Sequence, residues 1–327
     1  MKSLKISNPS IYALLFSGLL AACGGGTDSF ATNSVTPLVL SQSLGAPAVT
    51  GDTATDSVNW INYRRAQTGL SRLTRNSNID AAAWAHSNYQ NINQSITHVE
   101  VSSKTGFTGV NLNDCPTPLT TTCNVKNGRL SAANYALTAP YAAGEVISAA
   151  NSSSGFYLTE QLITAIYHRF IIFNPSFKEL GAGASSANDG FTYLTDDFTA
   201  SNGYGPGIGS SQIVIYPFAN QTTVPTIFFP SQEEPDPVPN QNTTGYPISV
   251  HADISTILSV STFTVQLHGG ASLPVKMLTN SSDSNTPAYA AAIIPLSVLN
   301  ANSTYDVTFI GTANNIPINR TWSFTTQ

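Results

Sequence analysis

Residues 158–183 constrain the fold of this chain most, because they join an apolar helical pattern to a sharp stop. One face of the pattern carries Leu158, Leu162, Ala165, Ile166 and Arg169. This spacing predicts an amphipathic helix over residues 158–170 with one buried face. Pro175 prevents the helix from continuing. On this pattern alone, His168 at the end of the helix is a polar residue in a core helix.

Three β-rich runs follow this helix at residues 180–185, 191–198 and 212–216, with Gly, Asn and Asp between them. Strands joined in sequence by short turns predict an antiparallel sheet. Apolar residues at helical spacing predict two further helices upstream, over residues 56–68 and 78–93. The first half of the chain is therefore predicted to belong to the α+β class.

The first 23 residues have the pattern of a leader rather than of a folded segment. Two lysines precede an apolar run at residues 11–20, which is too short to span a bilayer as a helix. The run ends in Leu-Ala-Ala-Cys, which resembles a bacterial lipobox and predicts lipidation of Cys23. An ordinary secretory leader with a free cysteine is the alternative. Gly24, rather than Asp, follows the cysteine and favours the outer membrane.

Charge and cysteine content agree with an exported protein. Charged residues make up 9% of the chain, the formal net charge is −5, and the basic residues form no cluster. Nucleic acid is therefore excluded as a partner. Besides Cys23, the chain contains Cys115 and Cys123. In an oxidising compartment this pair predicts a disulfide, with two free thiols as the alternative.

The remaining segments differ in composition. Residues 24–54 are rich in Gly, Ser, Thr and Pro and predict a flexible tether, and the Pro-rich residues 217–245 predict a semi-rigid linker. Residues 246–327 contain six or seven short alternating segments separated by turn signals. They predict an all-β, immunoglobulin-like sandwich in which Trp322 is a core residue.

Short motifs in a fixed order connect the helix to upstream segments. They are NYRRAQTGL at residues 62–70, Ala-His-Ser at 85–87, His98, Gly-Glu-Val-Ile at 144–147, and a segment at 167–183 that begins Tyr-His-Arg. Their order and spacing resemble the CAP superfamily (cysteine-rich secretory proteins, antigen 5, pathogenesis-related 1) over residues 55–216. Val146 stands where the family has Asn, and Tyr167 where it has Gly.

The resemblance implies that residues 55–216 form an α–β–α sandwich, followed by the immunoglobulin-like domain. It also implies a central cleft lined by a tetrad of His98, Glu145, Glu160 and His168. In such a cleft the two imidazoles would bind zinc or another divalent cation, and the two carboxylates would support them or act as a general base.

Two functions are open at this point. In the first, the protein is a non-enzymatic lipoprotein of the bacterial cell envelope, anchored through Cys23, whose cleft binds a lipid, a glycan or a protein. In the second, it is a metal-dependent hydrolase that cleaves an ester or peptide bond with a metal-bound water. The chain contains no His-Glu-x-x-His and no Gly-x-Ser-x-Gly motif, which favours binding over catalysis.

Overall fold

The computed structural model describes residues 45–114, 128–210 and 212–327, together with the backbone of the short strands Leu14–Ser17 and Thr122–Cys123. In chain order the elements are β1 (Leu14–Ser17), α1 (Thr53–Gln67), β2 (Thr74–Arg75), α2 (Ser77–Asn93), β3 (Thr122–Cys123), α3 (Arg129–Ala132), β4 (Leu137–Thr138), β5 (Ala142–Ala150), α4 (Gly155–Thr164), α5 (Ile166–Ile172), β6 (Glu179–Ser186), β7 (Thr192–Ala200), β8 (Ile213–Tyr216), β9 (Gln221–Val224), a 3-10 turn (Pro230–Gln232), β10 (Glu233–Glu234), β11 (Ile248–Ala252), β12 (Leu258–Leu267), β13 (Val275–Thr279), β14 (Ala290–Pro295), β15 (Thr304–Ala313) and β16 (Ile316–Thr326).

The first domain is built on a mixed sheet with the order β10-β1-β5-β7-β6-β2. β7 pairs antiparallel with β5 and β6 on its two sides. β1, which lies within the predicted leader, pairs parallel with the end of β5. The short strands β3 and β4 pair separately. The central strands β5, β7 and β6 therefore form the platform on which the helices pack.

Helices cover both faces of this sheet. Thr195 of β7 accepts a hydrogen bond of 2.9 Å from Ser87 of α2, and the next residue, Asp196, accepts one of 2.8 Å from Ser57 of α1. Because successive strand residues point to opposite faces, α1 and α2 lie on opposite sides. Gly183 permits the close approach of α2, since a Cβ there would lie 2.0 Å from the backbone of that helix. The predicted α–β–α sandwich is confirmed.

The helix predicted over residues 158–170 is in fact two helices, α4 and α5, which meet at Ala165. Ala165 has an extended backbone (φ −72°, ψ 124°), so the first N–H groups of α5 need acceptors from elsewhere. Glu233 supplies them, because its carboxylate accepts hydrogen bonds from Ile166 (2.9 Å) and Tyr167 (2.6 Å). The apolar spacing continues across the break and does not indicate it.

The C-terminal domain consists of two four-stranded sheets, ordered β13-β14-β11-β8 and β12-β15-β16-β9. In the lettering of the immunoglobulin fold these orders correspond to D-E-B-A and C-F-G, with β9 added parallel to the last strand. Phe263 packs against Phe309 and Trp322 in the core. The predicted immunoglobulin-like sandwich is confirmed, with Trp322 in its core.

The boundary between the domains differs from the prediction. Residues 212–216, predicted as the last strand of the first domain, contribute β8, which pairs with β11 of the C-terminal domain. β9 lies within the predicted linker at residues 217–245 and pairs with β16, while Glu233 from the same segment caps α5. Alternating apolar residues identify a strand but not the sheet that it joins, which explains the difference.

Buried polar contacts join the two domains. Arg169 of α5 is completely buried, and its Nη1 donates a hydrogen bond of 2.7 Å to the carbonyl of Pro247. Its guanidinium lies over the rings of Tyr216 and Tyr246, 4.9 and 5.1 Å from their centroids. A buried arginine bonded across the junction fixes the orientation of one domain against the other.

Several predictions fall on residues outside the described ranges. They are the lipidation of Cys23, the tether up to residue 44, and the disulfide, for which Cys115 is not described. These stay predictions. Within the described ranges, none of the helices is both long and apolar enough to cross a bilayer.

Candidate functional site

A cleft opens where the two domains meet, beside the start of β5. Its volume is about 530 Å³, within the roughly 300–1,000 Å³ of small-molecule sites. The first domain contributes His98, Glu145 and one side of α5, and the C-terminal domain contributes the loop between β13 and β14, including Asn285 and Tyr289. Both domains are therefore needed to form the cleft.

Three side chains form a hydrogen-bonded network at the base of the cleft. The Nδ1 atom of His98 lies 2.7 Å from Oε1 of Glu145, and the guanidinium of Arg129 donates to Oε2. Arg129 also donates a hydrogen bond of 2.9 Å to the carbonyl of His98, and so holds the loop that carries this histidine. Arg129 is 1% exposed and Glu145 7%.

The charge state of Glu145 follows from these contacts. Burial disfavours the carboxylate, but the charge of Arg129 and the neighbouring histidines outweigh burial and hold the pKa of Glu145 well below its usual range. An ionised carboxylate can only accept hydrogen bonds, so Nδ1 of His98 is the donor. The network thus fixes both the orientation and the tautomer of His98.

Asp197 adds a second carboxyl group from the neighbouring strand. It lies directly opposite Glu145 in the β5–β7 pair, so the two side chains share one face of the sheet. Asp197 is completely buried, and burial together with the charge of Glu145 raises its pKa well above the usual range. Burial and the neighbouring charge thus favour the protonated form of Asp197 beside ionised Glu145. Arg129, Glu145, His98 and Asp197 are called the Glu145 network below.

A second histidine–carboxylate pair holds the loop before His98. In α2, Nδ1 of His86 lies 2.8 Å from Glu100, and Nε2 lies 2.7 Å from the carbonyl of Thr97. His86 and Glu100 are buried at 0% and 1% exposure. His86 is thus a structural residue that anchors both ends of the segment carrying His98.

Glu160 does not line the cleft, contrary to the prediction. Its Oε2 accepts hydrogen bonds from Trp60 Nε1 (2.6 Å) and Arg64 Nε (3.0 Å), both on α1. Its Oε1 accepts a longer bond of 3.4 Å from the hydroxyl of Tyr216 on β8. Glu160 therefore joins α4 to α1 and to the C-terminal domain.

His168 is also placed away from the cleft. It is completely buried, and its Nδ1 lies 3.2 Å from Glu233, the residue that caps α5. The prediction of one four-residue site is therefore wrong: His98 and Glu145 share the cleft, whereas Glu160 bonds across the domain junction to Tyr216 and His168 is buried against Glu233. Within the described ranges, no group of three or more His, Cys, Asp or Glu side chains could hold a metal ion, and the divalent cation stays a prediction.

Sequence reasoning missed Arg129, Asp197 and the wall contributed by the C-terminal domain. A signal for Asp197 was present, since Asp196 and Asp197 are adjacent within a β-rich run. In a strand covered by helices on both faces, two adjacent acids must both be buried. Arg129 has no such signal, because its partners Glu145 and His98 lie 16 and 31 residues away.

The fold and the cleft define the first domain as an α–β–α sandwich with a polar site at the edge of its sheet. A family model described as "CAP: Cysteine-rich secretory protein family" matches residues 58–198. This chain therefore carries a CAP domain, followed by an immunoglobulin-like domain.

Two solved structures are similar to part of the chain. An extracellular protein containing an SCP domain from Bacillus anthracis str. Ames is 18% identical over 46% of this chain and 44% of that protein, with a TM-score of 0.34. An outer surface protein from Borrelia burgdorferi is 14% identical over 46% of this chain and 96% of that protein, also with a TM-score of 0.34. The chain thus spans less than half the length of the Bacillus protein. No curated protein matches the chain.

Proposed function

We propose that this protein is an envelope-anchored binding protein whose CAP and immunoglobulin-like domains jointly form the ligand site. The observation that supports this most is that the cleft has walls from both domains and the Glu145 network at its base. Ligand sites occur preferentially at domain interfaces and combine apolar walls with a few oriented polar groups. His98 is the oriented polar group that faces the cleft.

The hydrolase alternative has less support. It required two histidines to act on one metal ion, whereas His98 lines the cleft and His168 is buried against Glu233. The immunoglobulin-like domain is more than a spacer in this proposal, because Asn285 and Tyr289 line the same cleft.

Anchoring to the outer membrane through acylated Cys23 is part of the proposal and depends on the leader pattern. The Cys23→Ser variant cannot be acylated at this position and should move from the membrane fraction to the soluble periplasmic fraction. Unchanged membrane association would contradict the anchor. A Cys115–Cys123 disulfide is proposed on the same compartment argument, and it can be checked by mass spectrometry of non-reduced peptides.

The binding site can be tested by NMR on exported Cys23→Ser protein purified without detergent. The probes are N-acetylchitotetraose, maltotetraose, tetraalanine and dihexanoyl phosphatidylglycerol. We expect at least one probe to shift the amide signals of Gly144, Glu145 and Asn285, and the cleft-filling change Asn285→Trp to abolish that shift. The proposal fails if no probe shifts these signals, or if Asn285→Trp leaves the shifts unchanged.

A further inference from the structure

The described residues that line the cleft offer no charged side chain that lacks a protein partner. None of its described lining residues is Lys or Arg, and its one carboxylate, Glu145, is bonded to both His98 and Arg129. Arg129 itself is buried behind this carboxylate. A phosphate or carboxylate would meet ionised Glu145 without an accessible cation, and a cationic ligand would have to compete with Arg129. These contacts favour an uncharged ligand.

Three apolar side chains at the cleft offer little surface to an acyl chain. Phe170 and Phe177 line the cleft but are each only 2% exposed, and Leu112 is 8% exposed. Hydrophobic binding scales with the apolar area that is removed from water. The two phenylalanine rings can thus contact little of a lipid tail, and the half-buried Ile171 and Tyr289 supply further apolar surface to one face of a small ligand.

Side-chain amides supply most of the accessible hydrogen-bonding groups. Within the described residues, the amide of Asn113 makes no hydrogen bond, and Asn174 uses only its Oδ1, which accepts from the backbone N–H of Ser176 at 2.8 Å. On the opposite wall, Nδ2 of Asn285 donates a long hydrogen bond of 3.3 Å to Asp283. An amide both donates and accepts, as does a sugar hydroxyl, whereas ionised groups do only one of these.

We infer that the cleft binds an uncharged carbohydrate, with amides from both domains bonded to its hydroxyl or N-acetyl groups. This inference rests on the proposed function and narrows its ligand class. A lipid and a peptide are the competing ligands, because the proposed function is compatible with both.

The test compares binding of maltotetraose and N-acetylchitotetraose by isothermal titration calorimetry in Cys23→Ser protein and two further variants. Asn113→Ala removes an amide that has no partner among the described residues, so we expect folding to be unaffected. Asn174→Asp keeps an oxygen that accepts from Ser176, replaces the donor with an acceptor and adds a negative charge. We expect at least one sugar to bind, and each variant to weaken that binding at least fivefold. The control Asn319→Ala, at an exposed position on β16, should leave it unchanged.

The outcomes separate this inference from the broader proposal. If tetraalanine or dihexanoyl phosphatidylglycerol binds in an Asn285→Trp-sensitive manner and neither sugar does, the carbohydrate inference fails and the cleft remains a binding site. If a sugar binds equally well to the wild type, Asn113→Ala and Asn174→Asp, the assigned amides are wrong and the inference fails. If no probe binds, both proposals fail.

Discussion

At the scale of single residues, the Glu145 network supplies the counter-charge that the buried Arg129 requires beside the cleft. Arg129 cannot lose its proton, so a buried carboxylate must stay ionised next to it. Glu145 does so, and Asp197 opposite it stays protonated, because two adjacent buried carboxylates cannot both ionise readily. One of the two acids thus balances the charge of the arginine, and the other stays uncharged beside it.

This division of roles predicts strong coupling between the two acids. In Glu145→Gln, Asp197 can ionise and replace the lost charge next to Arg129, so we expect a loss of about 1–2 kcal/mol in unfolding free energy. Asp197→Asn keeps a donor towards Glu145 and should cost about 1 kcal/mol or less. The double variant leaves Arg129 buried without a counter-charge and should cost about 3–5 kcal/mol.

Urea unfolding at pH 7 of the four proteins in this double-mutant cycle measures the coupling. Effects that add within about 0.5 kcal/mol would show that the two carboxyl groups act independently, and would contradict the shared network.

Asp196, on the other face of β7, predicts a pH effect. Burial raises the pKa of Asp196 to about 7, although Ser57 donates to it. Because the folded pKa is raised, its favourable contribution is complete below the unfolded pKa of about 3.8 and is lost as the pH rises towards 7. Asp196→Asn should therefore reduce the fall in unfolding free energy between pH 4 and pH 7 by roughly 3 kcal/mol.

Urea unfolding at several pH values between these limits provides the measurement. The matched control is Asp189→Asn, an exposed aspartate in the turn before β7, which should leave the pH dependence as in the wild type. An identical fall in Asp196→Asn and wild type would mean that Asp196 is already ionised in the folded protein.

At the scale of elements, the break between α4 and α5 gives the predicted linker at residues 217–245 a structural role in the CAP domain. A continuous helix would satisfy the N–H groups of Ile166 and Tyr167 internally. The break instead directs them at Glu233, which is 2% exposed and also lies against His168. A segment with the composition of a linker thereby completes the helix that carries the family motif.

Removing the carboxylate of Glu233 should destabilise the protein. Glu233→Ala leaves buried N–H groups of α5 without an acceptor, and we expect a loss of about 2–4 kcal/mol in unfolding free energy. Hydrogen exchange at Ile166 and Tyr167 should become faster in the same variant. The neighbouring Glu234 has an exposed side chain, so Glu234→Ala serves as the control. Equal stabilities of the two variants would contradict the capping role.

At the scale of the whole molecule, the two domains are expected to unfold together. Arg169 and Glu160 each bond across the domain junction from buried positions, so separating the domains would leave polar groups unsatisfied. Differential scanning calorimetry should show one transition with a calorimetric enthalpy equal to the van't Hoff enthalpy.

Fluorescence provides an independent check of this cooperativity. In Trp322→Phe the remaining tryptophans, Trp60 and Trp84, both lie in the CAP domain. Their unfolding midpoint should equal the midpoint from far-ultraviolet circular dichroism, which reports on both domains. Two separate midpoints would mean that the domains are independent.

The sequence predicts the domains of this protein better than their connection. The motifs around Glu145 and His168 locate the CAP domain, and the alternating segments after residue 246 locate the second sandwich. The partners of Glu160 and His168 could not be predicted, because Tyr216 and Glu233 lie in segments whose patterns fit either domain or a linker. Motif order specifies a fold, but a site at a junction depends on long-range pairing that local patterns do not encode.

The contact between Glu233 and the start of α5 also has a consequence for the order of events during synthesis. The acceptor for the N–H of Ile166 lies 67 residues further along the chain. At about 5–20 residues per second, a ribosome needs roughly 3–13 s to add them. Throughout that interval the nascent CAP domain lacks its final cap, so its last helix is completed only when most of the polypeptide has emerged.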